Sequence, residues 1–135
     1  MNISYTFQIY WDAKIDIYID QMVILMKKYF ENKNYSPDIL TMGFSINCTP
    51  AITSNEKSKF YRKDHLLLLC TTLDYDIYMK YDENNKREYI ASSILKDMKM
   101  ISKFKTSEFD LNRMIGDFSN FFENIGWLNN ESHLK

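Results

Sequence analysis

Two hydrophobic periods share this chain, and they demand different structures. From Ile3 to Trp11 apolar and polar residues alternate without a break: Ile3, Tyr5, Phe7, Ile9 and Trp11 against Ser4, Thr6, Gln8 and Tyr10. A period of two belongs to a strand with one buried face. Directly afterwards, within residues 13–32, Ile15, Tyr18, Ile19, Met22, Met26, Tyr29 and Phe30 recur at intervals of three and four. That is the spacing of a helix with one apolar stripe, and Asp12 fits as its N-cap. A chain that changes period so early must pack helices on a sheet.

The rest of the chain repeats the alternation of signals. Leu40, Met42, Phe44, Ile46 and Cys48 predict a second strand, ended by Pro50. Residues 51–63 are polar, with a turn at Ser54-Asn55-Glu56 and a short edge strand at Lys59-Phe60-Tyr61. The unbroken run Leu66-Leu67-Leu68-Leu69-Cys70 predicts a central strand buried on both faces. After a turn near Thr72 to Asp74, Tyr75, Ile77, Met79 and Tyr81 alternate with Asp76, Tyr78 and Lys80, which predicts another strand. Asp82 to Asn85 opens a helix with the stripe Ile90, Ile94, Leu95, Met98 and Ile101. Asp110 opens the last one, striped by Leu111, Met114, Ile115, Phe118, Phe121, Phe122 and Ile125, with Gly126 as its C′ residue. The expected fold is α+β: an antiparallel sheet of four to five strands with three helices, in the order β-α-β-(β)-β-β-α-α. Residues 1–128 form one expected domain, and residues 129–135 a frayed tail.

Composition excludes several function classes. There are three Gly and no Gly-rich turn, so no loop is built to cradle phosphate on backbone N–H groups. Net charge is −1, and only Arg62, Arg87 and Arg113 among the basic residues are arginine, which argues against a nucleic-acid reader. Tyr5, Phe7, Tyr75, Tyr78 and Tyr81 would suit an RNA-stacking sheet, but Asp74, Asp76 and Asp82 would repel its phosphates. No apolar run approaches a membrane span and no leader sequence is visible, so the expected location is the cytoplasm. Cys48 and Cys70 sit in apolar runs and read as reduced, buried thiols.

No catalytic set emerges. His65 lies beside Asp64, but neighbouring residues of a strand face opposite ways, so that carboxylate does not orient it. The other histidine, His133, belongs to the tail. His65, Cys70, Cys48 and His133 contain no close ligand pair, and the acids from Asp74 to Glu83 lack the central Gly and twelfth-position acid of a calcium loop. No metal and no cofactor is expected.

The first helix carries the least ordinary feature. Asp12, Asp16 and Asp20 climb one side four residues apart, a mutually repulsive spacing. Ile17 and Ile24 lie seven apart on the side away from the stripe. An apolar pair beside a carboxylate row has the character of an interface centre with a charged margin. Asp74, Asp76, Asp82 and Glu83 form a second acidic candidate. Together these nine residues are the expected partner-binding set.

The segment Tyr89-Ile90-Ala91-Ser92-Ser93-Ile94-Leu95-Lys96-Asp97-Met98, the link Thr106-Ser107-Glu108-Phe109-Asp110 and the Phe-rich helix ending in Gly126-Trp127 resemble immunity proteins of bacterial polymorphic toxin systems, including contact-dependent growth inhibition. The resemblance covers residues 60–128. It implies a protein that binds one cognate toxin domain in the cytoplasm and neutralises it without chemistry; the acidic rows add that this partner is basic, as a nuclease is. Two other readings remain open from the residues: a small-molecule or lipid binder with a Met- and aromatic-lined pocket, and a metal-dependent hydrolase using Asp74 and Asp76.

Overall fold

A computed structural model describes residues 1–9, 17–50, 59–103 and 110–128, with the backbone alone at 17, 18, 102 and 103. Four strands form one sheet: β1 (Asn2–Ile9), β2 (Thr41–Thr49), β3 (Lys59–Lys63) and β4 (Leu66–Asp74). Their order is β1-β2-β4-β3. The helices are α1 (Ile17–Phe30), α2 (Tyr75–Lys80), α3 (Glu83–Met98) and α4 (Leu111–Asn124), with a 3-10 turn at Lys99–Lys103.

The sheet is mixed, which corrects the antiparallel expectation. β1 pairs with β2, and β2 with β4, in parallel; only β3 runs antiparallel, against β4. The cause lies in the connections. A helical crossover returns the chain to the end where β1 began, so β2 starts there and runs the same way. Between β2 and β4 the short edge strand β3 makes the return trip and then turns through Asp64-His65 into β4. Asp64 adopts a positive φ of 52°, which a short polar side chain tolerates.

One register builds the core. Ile3, Met42 and Leu67 stand in line across the sheet, as do Tyr5, Phe44 and Leu69. All six belong to, or pack against, a single hydrophobic cluster with the stripes of α1, α3 and α4. Phe118 of α4 sits at its centre, stacked on Phe30 at 4.0 Å and edge-on to Phe44 at 5.4 Å. The buried residues of α3 and its continuation match the sequence stripe: Ile90, Ile94, Leu95, Met98 and Ile101. The opposite sheet face carries Ser4, Thr6 and Gln8 on β1, exposed, and Leu66, Leu68 and Cys70 on β4, half-buried. The Leu run is therefore central in order but fully buried on one face only.

Residues 75–81 hold the largest correction. Instead of a turn followed by a strand, β4 continues through Thr72 to Asp74 and passes straight into α2. Asp74 caps that helix, its carboxylate accepting from the Asp76 and Ile77 amides at 2.9 and 3.3 Å. Tyr78 is buried, with its ring 6.1 Å from that of Phe7, and Tyr75 packs against the core one turn earlier. The spacing of three that joins Tyr75 and Tyr78 outweighs the spacing of two. The residues a strand would have buried, Ile77, Met79 and Tyr81, point outwards. Among the described residues there are therefore four helices where three were expected.

Both long C-terminal helices begin on local signals, and α4 also ends on one. Asp82 accepts from the Asn85 amide at 2.8 Å, and Asp110 from the Arg113 amide at 3.2 Å. At the end of α4, Gly126 takes a φ of 79°, its amide bonds Glu123, and the Trp127 amide reaches back to Phe122. This is a Schellman closure, and it buries Trp127 against Phe122. At the other end of the molecule the Met1 ammonium donates to the carbonyls of Phe30, Glu31 and Lys33, at the C-terminus of α1.

Candidate partner-binding surface

The parallel strands decide where the candidate residues gather. β1, β2 and β4 all end on one edge, where Ile9 faces Cys48 and Thr49 faces Asp74. α1 ends beside Met1, so its first turn lies back at the edge where β1 ends. α2 starts there too, directly from Asp74, and α3 follows after a two-residue link. Ile19 of α1 and Glu83 of α3 line the same cleft. Asp20, in the first turn of α1, and the acids at the starts of α2 and α3 thus belong to helices that begin toward the same end of the sheet.

The individual acids differ. Asp20 and Asp76 are exposed. Asp74 and Asp82 are helix caps, with part of each carboxylate committed to backbone amides. Glu83, itself exposed, lies 3.9 Å from the half-buried Arg87 one turn on, a long contact that contributes little to folding. All four acids at the starts of α2 and α3 also complement the positive ends of those helices. Ile24 is 67% exposed, on the side of α1 away from its buried stripe. Asp12 and Asp16 lie outside the described residues, and of Ile17 only the backbone is described.

Sequence reasoning missed the apolar part of this edge. Met79 is 50% and Ile77 42% exposed, and Tyr81 stands beside them with its ring 5.6 Å from that of Tyr89. Leu25 extends the exposed apolar surface of α1 next to Ile24. Exposed apolar side chains bounded by Asp76, Asp82 and Glu83 make the composition of a protein interface. Two N-cap acids eight residues apart, Asp74 and Asp82, were the signal that a short helix lies between them.

Between α1, α2, α3 and Trp127 opens a cleft of about 80 Å³ lined by Ile19, Tyr78, Ile90, Trp127, Glu83, Lys86 and Arg87. Pockets that hold drug-sized ligands start at roughly 300 Å³, so this one does not favour the small-molecule or lipid reading. Lys86 holds its ammonium 5.1 Å from the Tyr78 ring centre. Behind the edge, burial and then the nearby Asp74 charge push the Cys48 thiol up to about 12, so it is no nucleophile at neutral pH. Burial likewise raises the Tyr89 phenol, which accepts from the Asp74 amide at 2.9 Å.

His65 is exposed in the β3–β4 turn, with Nδ1 3.0 Å from the Asp38 carbonyl. Among the described residues no three His, Cys, Asp or Glu side chains converge as metal ligands. No described helix is long and apolar enough to cross a membrane.

Compared with known protein families, residues 1–124 match the family described as immunity protein 44. The chain belongs to the immunity protein 44 family. The match takes in every described strand and all four helices, so family membership covers the whole edge around α1, α2 and α3. No curated protein and no solved structure matches the chain. Membership implies a toxin as partner; it assigns no contact residue.

Proposed function

We propose that this immunity protein binds one cognate toxin domain in the cytoplasm and neutralises it by covering its working surface, with no bond made or broken. The observations that support this reading are the exposed Asp20 in the first turn of α1, the acids Asp74, Asp76, Asp82 and Glu83 at the starts of α2 and α3, and the exposed apolar side chains Ile24, Ile77 and Met79 on α1 and α2. An acidic margin steers a basic partner and raises its association rate, while desolvated apolar side chains hold the complex. A toxin whose substrate is polyanionic presents such a basic face, so the proposed partner is a nuclease. The proposed binding set is Asp12, Asp16, Ile17, Asp20 and Ile24 with Asp74, Asp76, Asp82 and Glu83.

Co-expression with the toxin encoded beside this gene tests the reading: cells should survive and a stoichiometric complex should purify. Asp16→Lys with Asp20→Lys should slow association about tenfold or more at low salt and leave the unfolding transition in place, since an exposed charge such as that of Asp20 contributes little to folding. Failure to bind any neighbouring gene product would sink the proposal. An unchanged association rate would move the interface away from α1.

A further inference from the structure

The outer face of α1 reads the same from either end once the signs of its charges are exchanged. Asp20, Ile24 and Lys28 follow one another at intervals of four, and all three are exposed, so they form one stripe along the helix. Leu25, 49% exposed, widens the apolar middle beside Ile24. Asp20 and Lys28 stand about 12 Å apart along the axis, beyond reach of each other. Among the described residues neither has an ion-pair partner. An acid in the first turn and a cation in the last suit the helix dipole. Two neighbouring apolar side chains left in water between them have no such cause.

We propose that this stripe pairs with its counterpart on a second copy of the chain, the two α1 helices lying antiparallel across a two-fold axis at Ile24. In such a pair, a residue some number of places before Ile24 meets the residue the same number of places after it. Asp20 of each copy then meets Lys28 of the other, about 6 Å along the axis on either side, and the two Ile24 side chains meet in the middle. A parallel pair would set Asp20 against Asp20 and Lys28 against Lys28, so the charges choose the direction. One helix face buries less than roughly 1,200 Å², the lower bound of standard interfaces, so the dimer is weak, with a dissociation constant on the order of 100 μM. The pairing goes beyond the immunity reading and does not depend on it. Asp20 and Ile24 also belong to the proposed toxin-binding set, so the two occupants exclude each other. The dimer covers the apolar pair while toxin is absent and gives way to a tighter partner.

Sedimentation equilibrium of the full chain alone, from about 10 μM to 1 mM at low salt, reads the pairing. Wild type should pass from monomer to dimer over that range. Ile24→Asp should stay monomeric with its thermal unfolding unchanged, because the side chain lies outside the core; Ile24→Gln takes its place if the Asp variant does not fold. Asp20→Lys and Lys28→Asp, each alone, should weaken the dimer about tenfold, since each sets two like-charge pairs across the axis. The double variant Asp20→Lys with Lys28→Asp should recover wild-type pairing, and an equimolar mixture of the two single variants should form a heterodimer as tight as the wild-type dimer. Monomer at every concentration overturns the proposal, as does a dimer that the Ile24 variants leave intact. Single charge variants without effect, or a double variant no better than either single one, overturn the antiparallel pairing. Toxin binding is read separately, by co-expression, so either reading can fail alone.

Discussion

Replacing Asp74 by Ala should loosen α2 before it unfolds the protein. The helix has six residues, too few to persist on its own hydrogen bonds. Two things hold it: Tyr78 in the core, and the Asp74 carboxylate on the Asp76 and Ile77 amides. The 2.9 Å bond is well formed and the 3.3 Å bond is long, so the cap lies in the middle of the usual range, about 1 kcal/mol. Losing a negative charge at the helix start adds about 0.3 to 0.5 kcal/mol at this half-exposed site. Asp74→Ala should therefore cost about 1.3 kcal/mol, roughly 4 to 6 °C in Tm for a chain of this size. Asp74→Ser keeps an acceptor and loses the charge, so it should cost about 0.5 kcal/mol. Denaturant unfolding gives the global numbers. Hydrogen exchange gives the local one: amides of α2 should exchange on the order of tenfold faster in the Ala variant. Equal losses for Ala and Ser would mean that charge, and not capping, holds the helix. An unchanged exchange rate would refute the account of why residues 75–80 are helical.

Other expectations concern the frame around the edge. Gly116 lies within α4 with nothing within 4 Å of a built Cβ, so Gly116→Ala should raise stability by about 0.5 to 1 kcal/mol. The same change at Gly126, with its φ of 79°, should lower it by about 1 kcal/mol; equal effects in a thermal scan would contradict the C-cap. Phe118→Ala empties the centre of the core and should cost about 3 to 5 kcal/mol in chemical denaturation. Stability should also fall at alkaline pH. Tyr35 is buried with its hydroxyl donating to Asp117 at 2.6 Å, and burial followed by that carboxylate raises its phenol above the ordinary value of 10. A raised acid contributes stability that is whole below the unfolded value and shrinks as pH climbs past it. The urea midpoint should thus decline above about pH 9 to 10, through Cys48 and then Tyr35, and Tyr35→Phe should flatten the upper part of that decline.

Where a residue's local chemistry and its burial agree, the sequence was legible. The Phe-rich stripe of α4 lies between an Asp110 cap and a Gly126 closure, and each signal alone marks a helix. The first strand shows the same agreement, with Ile3 buried and Ser4 exposed. Strand direction was not legible, because alternation says which face is buried and nothing about which way the neighbour runs. Residues 75–81 were misread for a different reason. Ile77, Met79 and Tyr81 alternate in hydrophobicity but are exposed, so the pattern that usually marks a core face here marks an outward one. The acids of the candidate site were visible as residues. The placement of the starts of α1 and α2 toward one end of the sheet was not, since it depends on the parallel strand order.

Hydrogen exchange of the complex with the neighbouring toxin, read against the free protein, tests most directly whether this edge is the working surface. Protection should concentrate in the first two turns of α1 and from Asp74 through Arg87. Protection confined to the β3–β4 hairpin or to the open face of β1 and β2, with residues 74–87 unchanged, would contradict the account.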